Sequence, residues 1–74
     1  MDKIEQYVID KATKLRRDKK YTQGDIAQVL NVTHSFIGNV ENSKHLAKYN
    51  LKHISKLADH FKLSPQFFIP AKPL

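Results

Sequence analysis

A segment with no lysine or arginine holds several side chains that are capable of chemistry. Residues 31–43 read NVTHSFIGNVENS and contain an imidazole at His34, a hydroxyl at Ser35 and an amide at Asn39. A serine beside a histidine is one ingredient of nucleophilic catalysis. On a helix, however, successive side chains diverge by about 100°, so these two cannot act as nucleophile and base. We therefore expect a non-enzymatic protein in which these groups form hydrogen bonds to a partner.

Three further histidines, His45, His53 and His60, invite interpretation as a metal site. Their spacings of eight and seven residues do not match the short ligand pairs of zinc motifs, and the chain contains no cysteine. The sequence therefore predicts neither a metal site nor a bound cofactor.

The formal net charge of +6 is distributed unevenly along the 74 residues. Residues 1–20 contain seven basic and four acidic side chains, residues 21–41 none and two, and residues 42–74 six and one. A basic protein favours a polyanionic partner, either nucleic acid or an anionic membrane surface. Membrane binding would leave the apolar side of the first helix exposed, whereas the core of so short a chain needs that side. Nucleic acid is thus the expected partner, and we expect no membrane association.

Length and composition indicate one small domain in a reducing compartment. The chain is long enough for one helical core, and its 41% of hydrophobic residues must stabilise that core without disulfides. The N-terminal MDKIEQYVID has acidic residues where a signal peptide needs a basic run, and no apolar stretch approaches the roughly 20 residues of a spanning helix. We expect a cytoplasmic protein with a domain at residues 1–69 and a proline-containing tail at residues 70–74.

Helical periodicity and capping residues predict the elements of an all-α fold. The first helix is expected over residues 2–19, with an apolar face formed by Ile4, Val8, Ala12 and Leu15. Thr22 and Asp25 form a capping-box pattern at the start of QGDIAQVL, and Asn31 follows this helix as a left-handed C-cap.

Three more caps predict the remaining helices. Thr33 precedes a third helix that ends near residue 42, with Ile37 and Val40 on its inner side. Asn50 caps a fourth helix, whose predicted apolar face consists of Leu51, Ile54, Leu57, Ala58 and Phe61. Ser64 followed by Pro65 starts a short fifth helix, PQFF.

The segments LRRDKKYTQGDIAQVLNVTHSFIGNVENS and LKHISKLADHFKLSPQFF resemble the lambda-repressor-like (XRE, Cro and phage-repressor type) helix-turn-helix transcriptional regulators. The residues most diagnostic of the resemblance are Gln23, Ala27, Val32, Ser35, Ile37, Val40 and Glu41. The chain departs from the pattern at Lys20 and Asn31, where the family often has glycine. The resemblance implies a compact five-helix domain that binds double-stranded DNA as a prokaryotic or phage regulator. Its third helix, at about residues 33–42, would read the major groove.

The resemblance also assigns roles to individual side chains. The expected base-reading residues are His34, Ser35, Gly38 and Asn39, because neutral hydrogen-bonding groups can read base edges. The expected contacts to the DNA backbone are Gln23, Thr33, Asn42, Lys44, Lys48 and Asn50. Arg16 and Glu41 are expected to link the first and third helices. Phe36 either contacts a thymine methyl or packs between helices, and packing is favoured.

Two further expectations concern partners. Regulators of this kind usually occupy two half-sites, so we expect a homodimer on DNA, with self-contact through Phe67, Phe68 and Ile69 unless this cluster completes the core. The alternative function is a protein-interaction module, antitoxin-like or adaptor, that binds a partner through the tail FFIPAKPL. The sequence predicts no particular small-molecule effector.

Overall fold

Four α-helices and a terminal 3₁₀ helix make up the computed structural model, which describes residues 1–74. The α-helices are α1 (Lys3–Asp18), α2 (Gln23–Leu30), α3 (His34–Val40) and α4 (Leu51–Phe61), and the 3₁₀ helix is Pro65–Phe68. The predicted all-α class is confirmed, and the fifth predicted helix is a 3₁₀ helix of four residues. Such short runs suit the tighter 3₁₀ geometry. None of the helices combines the length and apolar character needed to cross a membrane.

Local capping bonds set the helix starts where the sequence predicts them. Thr22 Oγ1 accepts from the Asp25 N–H at 3.0 Å, and the Thr22 N–H donates to Asp25 Oδ2 at 2.8 Å, so both bonds of the capping box are present. Thr33 Oγ1 accepts from the Phe36 N–H at 3.0 Å. Each bond satisfies a backbone N–H that has no partner within its own helix.

Three residues with side chains adopt left-handed backbone conformations at helix ends. The φ angles are 61° at Lys20, 56° at Asn31 and 59° at Lys62. Asn31 ends α2 as predicted, and the Val32 N–H then donates to Ala27 O at 3.0 Å. Lys20 and Lys62 lack the compensating short polar side chain of asparagine, so the fold imposes strain at both.

The core is built from all four α-helices and the 3₁₀ helix. Its most deeply buried large side chains are Leu30, Ile37, Leu57 and Phe68. Phe68 has no exposed surface, which makes the C-terminal 3₁₀ helix an integral part of the core. The predicted self-contact through Phe68 is therefore wrong, because its ring is already covered by its own domain.

The apolar faces of α1 and α4 extend past the point where neighbouring elements cover them. Ile4 and Leu51 belong to those predicted faces but are 40% and 83% exposed. Ile9, which the predicted face of α1 omits, is buried. Both exposed residues lie in the first turn of their helix and line an open groove there. Periodicity identified the apolar side correctly and overestimated how far along the helix it is buried.

Candidate functional site

Helices α2 and α3 meet across the three-residue turn 31–33. The left-handed conformation of Asn31 reverses the chain, and Thr33 then starts α3. The N-terminal ends of the two helices lie close together, since a Cβ placed on Gly24 would be 3.8 Å from His34 Nδ1. This arrangement leaves one side of α3 facing away from the core.

The expected base-reading residues lie on that outward side. Ile37 and Val40 are buried, whereas His34 and Ser35 are exposed and Asn39 is half-buried. The outward side therefore presents an imidazole, a hydroxyl and an amide along a helix of two turns. Each of these three groups is able to donate and accept hydrogen bonds, and none of them is a lysine, an arginine or a carboxylate.

A partly buried polar network fixes α3 to α1. Arg16 Nε donates to Glu41 Oε2 at 2.8 Å, and Arg16 Nη2 donates to Glu41 Oε1 at 2.9 Å. Arg16 Nη1 also donates to the Tyr21 carbonyl oxygen at 2.8 Å. The expected pair of Arg16 and Glu41 is thus present as a bidentate ion pair, in which both hydrogen bonds are charge-assisted.

The pKa values of this pair reflect the network. Burial opposes ionisation of Glu41, but the hydrogen bonds from Arg16 and Gln23 outweigh it and lower the pKa of the carboxyl group. The bond to Glu41 raises the pKa of Arg16. Both groups therefore stay charged at neutral pH, and the pair holds the C-terminal end of α3 in place.

Gln23 joins the same network from α2. Its Nε2 donates to Glu41 Oε1 at 3.0 Å, which fixes the orientation of its amide, because a carboxylate only accepts. The other amide atom, Oε1, would lie 3.6 Å from a Cβ placed on Gly38. The half-buried Gly38 therefore faces Gln23 as well as the outer side of α3. Sequence reasoning missed this link between Gln23 and Glu41.

Apart from Gln23, the residues expected to contact the DNA backbone fall into two groups. Thr33, Asn42 and Asn50 each use a side-chain oxygen to accept a backbone N–H of their own segment. Lys44 is exposed, whereas Lys48 Nζ lies 2.5 Å from Glu5 Oε2 of α1. Of these two lysines, Lys44 is the one whose ammonium group has no acidic neighbour within ion-pair distance.

An aromatic cluster packs α3 against the start of α4, and little in the sequence indicates it. The Phe36 ring lies 6.4 Å from the Tyr49 ring and 5.3 Å from the His53 ring, so the packing role of Phe36 is confirmed. Burial, reinforced by the Glu41 carboxylate, raises the pKa of Tyr49. Burial, reinforced by the positive charge of Lys56, lowers the pKa of His53. The spacing of Asn50 and His53, three residues apart at a helix start, is the one signal that could have indicated part of this cluster.

His53 completes an unusual capping box. The Asn50 N–H donates to His53 Nδ1 at 3.1 Å, and Asn50 Oδ1 accepts from the His53 N–H at 2.9 Å. Accepting at Nδ1 requires that nitrogen to be unprotonated. The start of α4 is therefore tied to the neutral form of His53.

The three histidines considered as metal ligands make separate contacts. His45 Nδ1 accepts from the Ala47 N–H at 3.1 Å, and His60 Nε2 lies 2.9 Å from the Tyr21 hydroxyl oxygen. His53 belongs to the capping box on α4. Each imidazole thus has a structural contact of its own.

A comparison with protein-family models gives one finding about this chain. A model described as helix-turn-helix matches residues 13–68, well over half of the chain. Searches of curated proteins and of solved structures found no match.

Proposed function

Because the chain belongs to the lambda-repressor-like (XRE) helix-turn-helix family of DNA-binding domains, we propose that it is a sequence-specific transcriptional regulator of a prokaryote or phage. In this proposal α3 lies in the major groove of double-stranded DNA, and the protein binds without catalysing a reaction. The observation that carries the proposal is the uncharged, hydrogen-bonding outer side of α3, held in place by Arg16, Glu41 and Gln23. Such a role places the protein in the cytoplasm.

Neutral side chains on α3 suit base recognition. Each base pair presents a distinct pattern of donors, acceptors and methyl groups in the major groove, and reading it needs no formal charge. The Asn39 amide matches the adjacent donor and acceptor of adenine. His34 and Ser35, at the exposed start of α3, supply further donors and acceptors.

Affinity would come from the charged segment that follows α3. Lysine contacts to phosphate release counterions and make binding depend on salt. Lys44 is exposed and available for such a contact. Lys48 would exchange its contact with Glu5 for one with phosphate, so we expect it to contribute less than Lys44.

Helix caps and the partly buried network of Arg16, Glu41 and Gln23 would position α3 before DNA binds. Thr33 and Asn50 orient their own helix N-termini, where backbone N–H groups favour phosphate. The network of Arg16, Glu41 and Gln23 joins three helices. We therefore expect little conformational entropy to be lost when DNA binds.

We further propose that two copies bind one operator. A reading helix of seven residues reaches only a few base pairs, and a second copy on a half-site about one helical turn away would add the missing specificity. The symmetry of such a site requires a two-fold, isologous arrangement.

The alternative, a protein-interaction module using the tail, has less support. It depends on apolar side chains near the C-terminus, and one of the two phenylalanines there, Phe68, lies in the core. The Phe67 ring packs against Phe68 and lies 4.4 Å from Lys11 Nζ. The tail therefore offers less free apolar surface than its sequence indicates.

Selection of bound duplexes from a random library, followed by affinity measurements at several salt concentrations, tests the proposed function. We expect His34→Ala and Asn39→Ala to weaken binding to the selected duplex by about 1 to 3 kcal/mol each and to affect random DNA much less. Lys44→Ala should weaken both alike and reduce the salt dependence.

Matched controls lie far from α3. Gln66→Ala removes an exposed amide from the 3₁₀ helix, and Lys72→Ala removes one positive charge from the tail. Neither should change discrimination between the two DNAs. Failure of the selection to enrich any duplex, or equal losses on both DNAs for His34→Ala and Asn39→Ala, would overturn the proposed function.

A further inference from the structure

An ion pair joins the first turn of α1 to the end of the loop that follows α3. Lys48 Nζ lies 2.5 Å from Glu5 Oε2. Their chain neighbours Ile4 and Tyr49 line the same groove, so the backbone segments that carry the two charges lie close together. The pair therefore connects a loop expected to contact DNA with a helix that supplies none of the expected DNA contacts.

The backbone on both sides of this pair is held in place by other contacts. The Tyr49 ring centroid lies 6.4 Å from that of Phe36 in α3 and 5.8 Å from that of His53 in α4, which anchors the end of the loop beside Lys48. Glu5 lies in the first turn of α1, where a negative charge suits the helix N-terminus. Both charges therefore extend from ordered positions, which favours a persistent contact in the free protein.

Lys44 and Lys48 lie in the same loop and differ in their acidic neighbours. Residues 42–58 contain four lysines and no acidic residue, so the acidic partner of Lys48 comes from a distant part of the chain. Among the three ion pairs of the structure, this is the one that includes a residue expected to contact DNA. The charge of Lys48 is thus balanced within the protein before DNA binds, whereas the charge of Lys44 is not.

A DNA phosphate and the Glu5 carboxylate compete for the same ammonium group. To contact a phosphate, Lys48 either leaves Glu5 or brings that carboxylate close to the DNA backbone, and each alternative opposes binding. The Lys48 side chain is 54% exposed and the Glu5 side chain 31%, so solvent weakens the pair without abolishing it. An ion pair of this exposure changes a binding equilibrium by at most about fivefold.

We propose that Glu5 limits the affinity of this chain for DNA by holding Lys48 in the free protein. The inference rests on the proposed DNA-binding function and assigns a role in it to a residue outside residues 13–68, the range that matches the helix-turn-helix model. A phosphate contact carries no sequence information. Glu5 therefore lowers the affinity for selected and random duplexes by the same factor and leaves the discrimination between them unchanged.

The test compares Glu5→Gln with Asp10→Asn, each of which removes one acidic charge from α1. Asp10 is the matched control, because its carboxylate accepts from Gln6 Nε2 at 2.8 Å and an asparagine oxygen is able to accept the same bond. At low salt we expect Glu5→Gln to bind both duplexes about two- to fivefold more tightly than Asp10→Asn does. The difference should shrink as added salt screens the competing charges.

A second comparison tests whether Glu5 acts through Lys48. In a Lys48→Met background, Glu5→Gln and Asp10→Asn should strengthen binding equally, because no ammonium group is left for Glu5 to hold. In a Lys44→Met background, the additional gain of Glu5→Gln should persist, since Lys44 has no acidic partner. Thermal melting checks that each variant is folded.

Two outcomes would overturn the proposed role of Glu5. Equal gains for Glu5→Gln and Asp10→Asn in the otherwise unchanged chain would reduce it to a long-range effect of charge. An additional gain that persists in the Lys48→Met background would show that Glu5 acts through a different group. If the wild-type chain fails to prefer the selected duplex over random DNA, the proposed function itself fails. That result is separate, because the two acidic variants are still compared on random DNA.

Discussion

Arg16 and Glu41 are 25 residues apart in the sequence and form a bidentate ion pair. The Arg16 side chain is only 13% exposed and the Glu41 side chain only 7%. The pair connects the end of α1 to the end of α3. Because little of the pair is exposed to solvent, removing one partner should cost more stability than breaking a surface ion pair. An exposed pair contributes little to stability, whereas loss of one partner from a buried pair leaves an uncompensated charge.

We expect Arg16→Met to lower the free energy of unfolding by about 1 to 3 kcal/mol, since it leaves the partly buried Glu41 carboxylate without its main partner. The double variant Arg16→Met with Glu41→Leu should lose less, because no unpaired charge remains. Urea denaturation measures both. Lys14→Met is the control, since it removes an exposed pair with Asp18, and it should cost no more than about 1 kcal/mol. Similar losses for Arg16→Met and Lys14→Met would contradict the role of burial.

His53 should make stability depend on pH below about 6.5, the ordinary pKa of histidine. Its pKa is lowered in the folded protein by burial and by Lys56, so the unfolded chain takes up the proton first as pH falls. Stability is therefore complete above about 6.5 and decreases as the pH falls through the lower folded value. Protonation also removes the acceptor of the Asn50 N–H.

We expect His53→Gln to reduce this dependence, because a glutamine oxygen is able to accept from Asn50 and does not titrate. Melting temperatures between pH 7 and pH 5 provide the measurement. His34→Gln, at an exposed imidazole on α3, is the control and should retain the wild-type slope. An unchanged slope in His53→Gln would show that the capping box does not sense protonation.

Lys20→Gly should raise the free energy of unfolding by about 1 kcal/mol, because glycine adopts a φ of 61° without the clash that a Cβ causes. The Tyr21 N–H bond to Arg16 O, 2.9 Å long, needs no lysine side chain. Lys19→Gly is the control, because Lys19 has a φ of −85° and gains nothing from glycine. Thermal or urea denaturation should show opposite signs for these neighbouring variants, and equal signs would exclude relief of strain as the cause.

Gly38→Ala should separate stability from DNA binding. A Cβ at this position meets Gln23 Oε1 at 3.6 Å, an ordinary contact distance, so alanine fits. Alanine is about 1 kcal/mol better than glycine in a helix interior, and we expect the melting temperature to rise. We expect affinity for the selected duplex to fall, because the added methyl group lies where α3 would approach the groove floor. Unchanged affinity would place Gly38 away from the DNA.

The sequence alone predicted the helices well because their signals are local. Thr22, Asn31, Thr33 and Asn50 act on backbone groups within a few residues, so their positions in the chain are sufficient to place helix ends. The inner side of α3, with Ile37 and Val40, was predicted for the same reason. Lys62 was missed, since a lysine in the left-handed conformation gives no compositional signal.

Burial at the edges of the fold was decided only by the tertiary structure. Ile4 and Leu51 belong to predicted apolar faces but line an open groove, whereas Phe68, expected at a contact between two copies, is fully buried in the core. Periodicity states which side of a helix is apolar, but whether another element covers a given turn depends on contacts between residues far apart in the chain. The same holds for Gln23 on Glu41 and for Glu5 beside Lys48, since long side chains find partners only after the helices have packed.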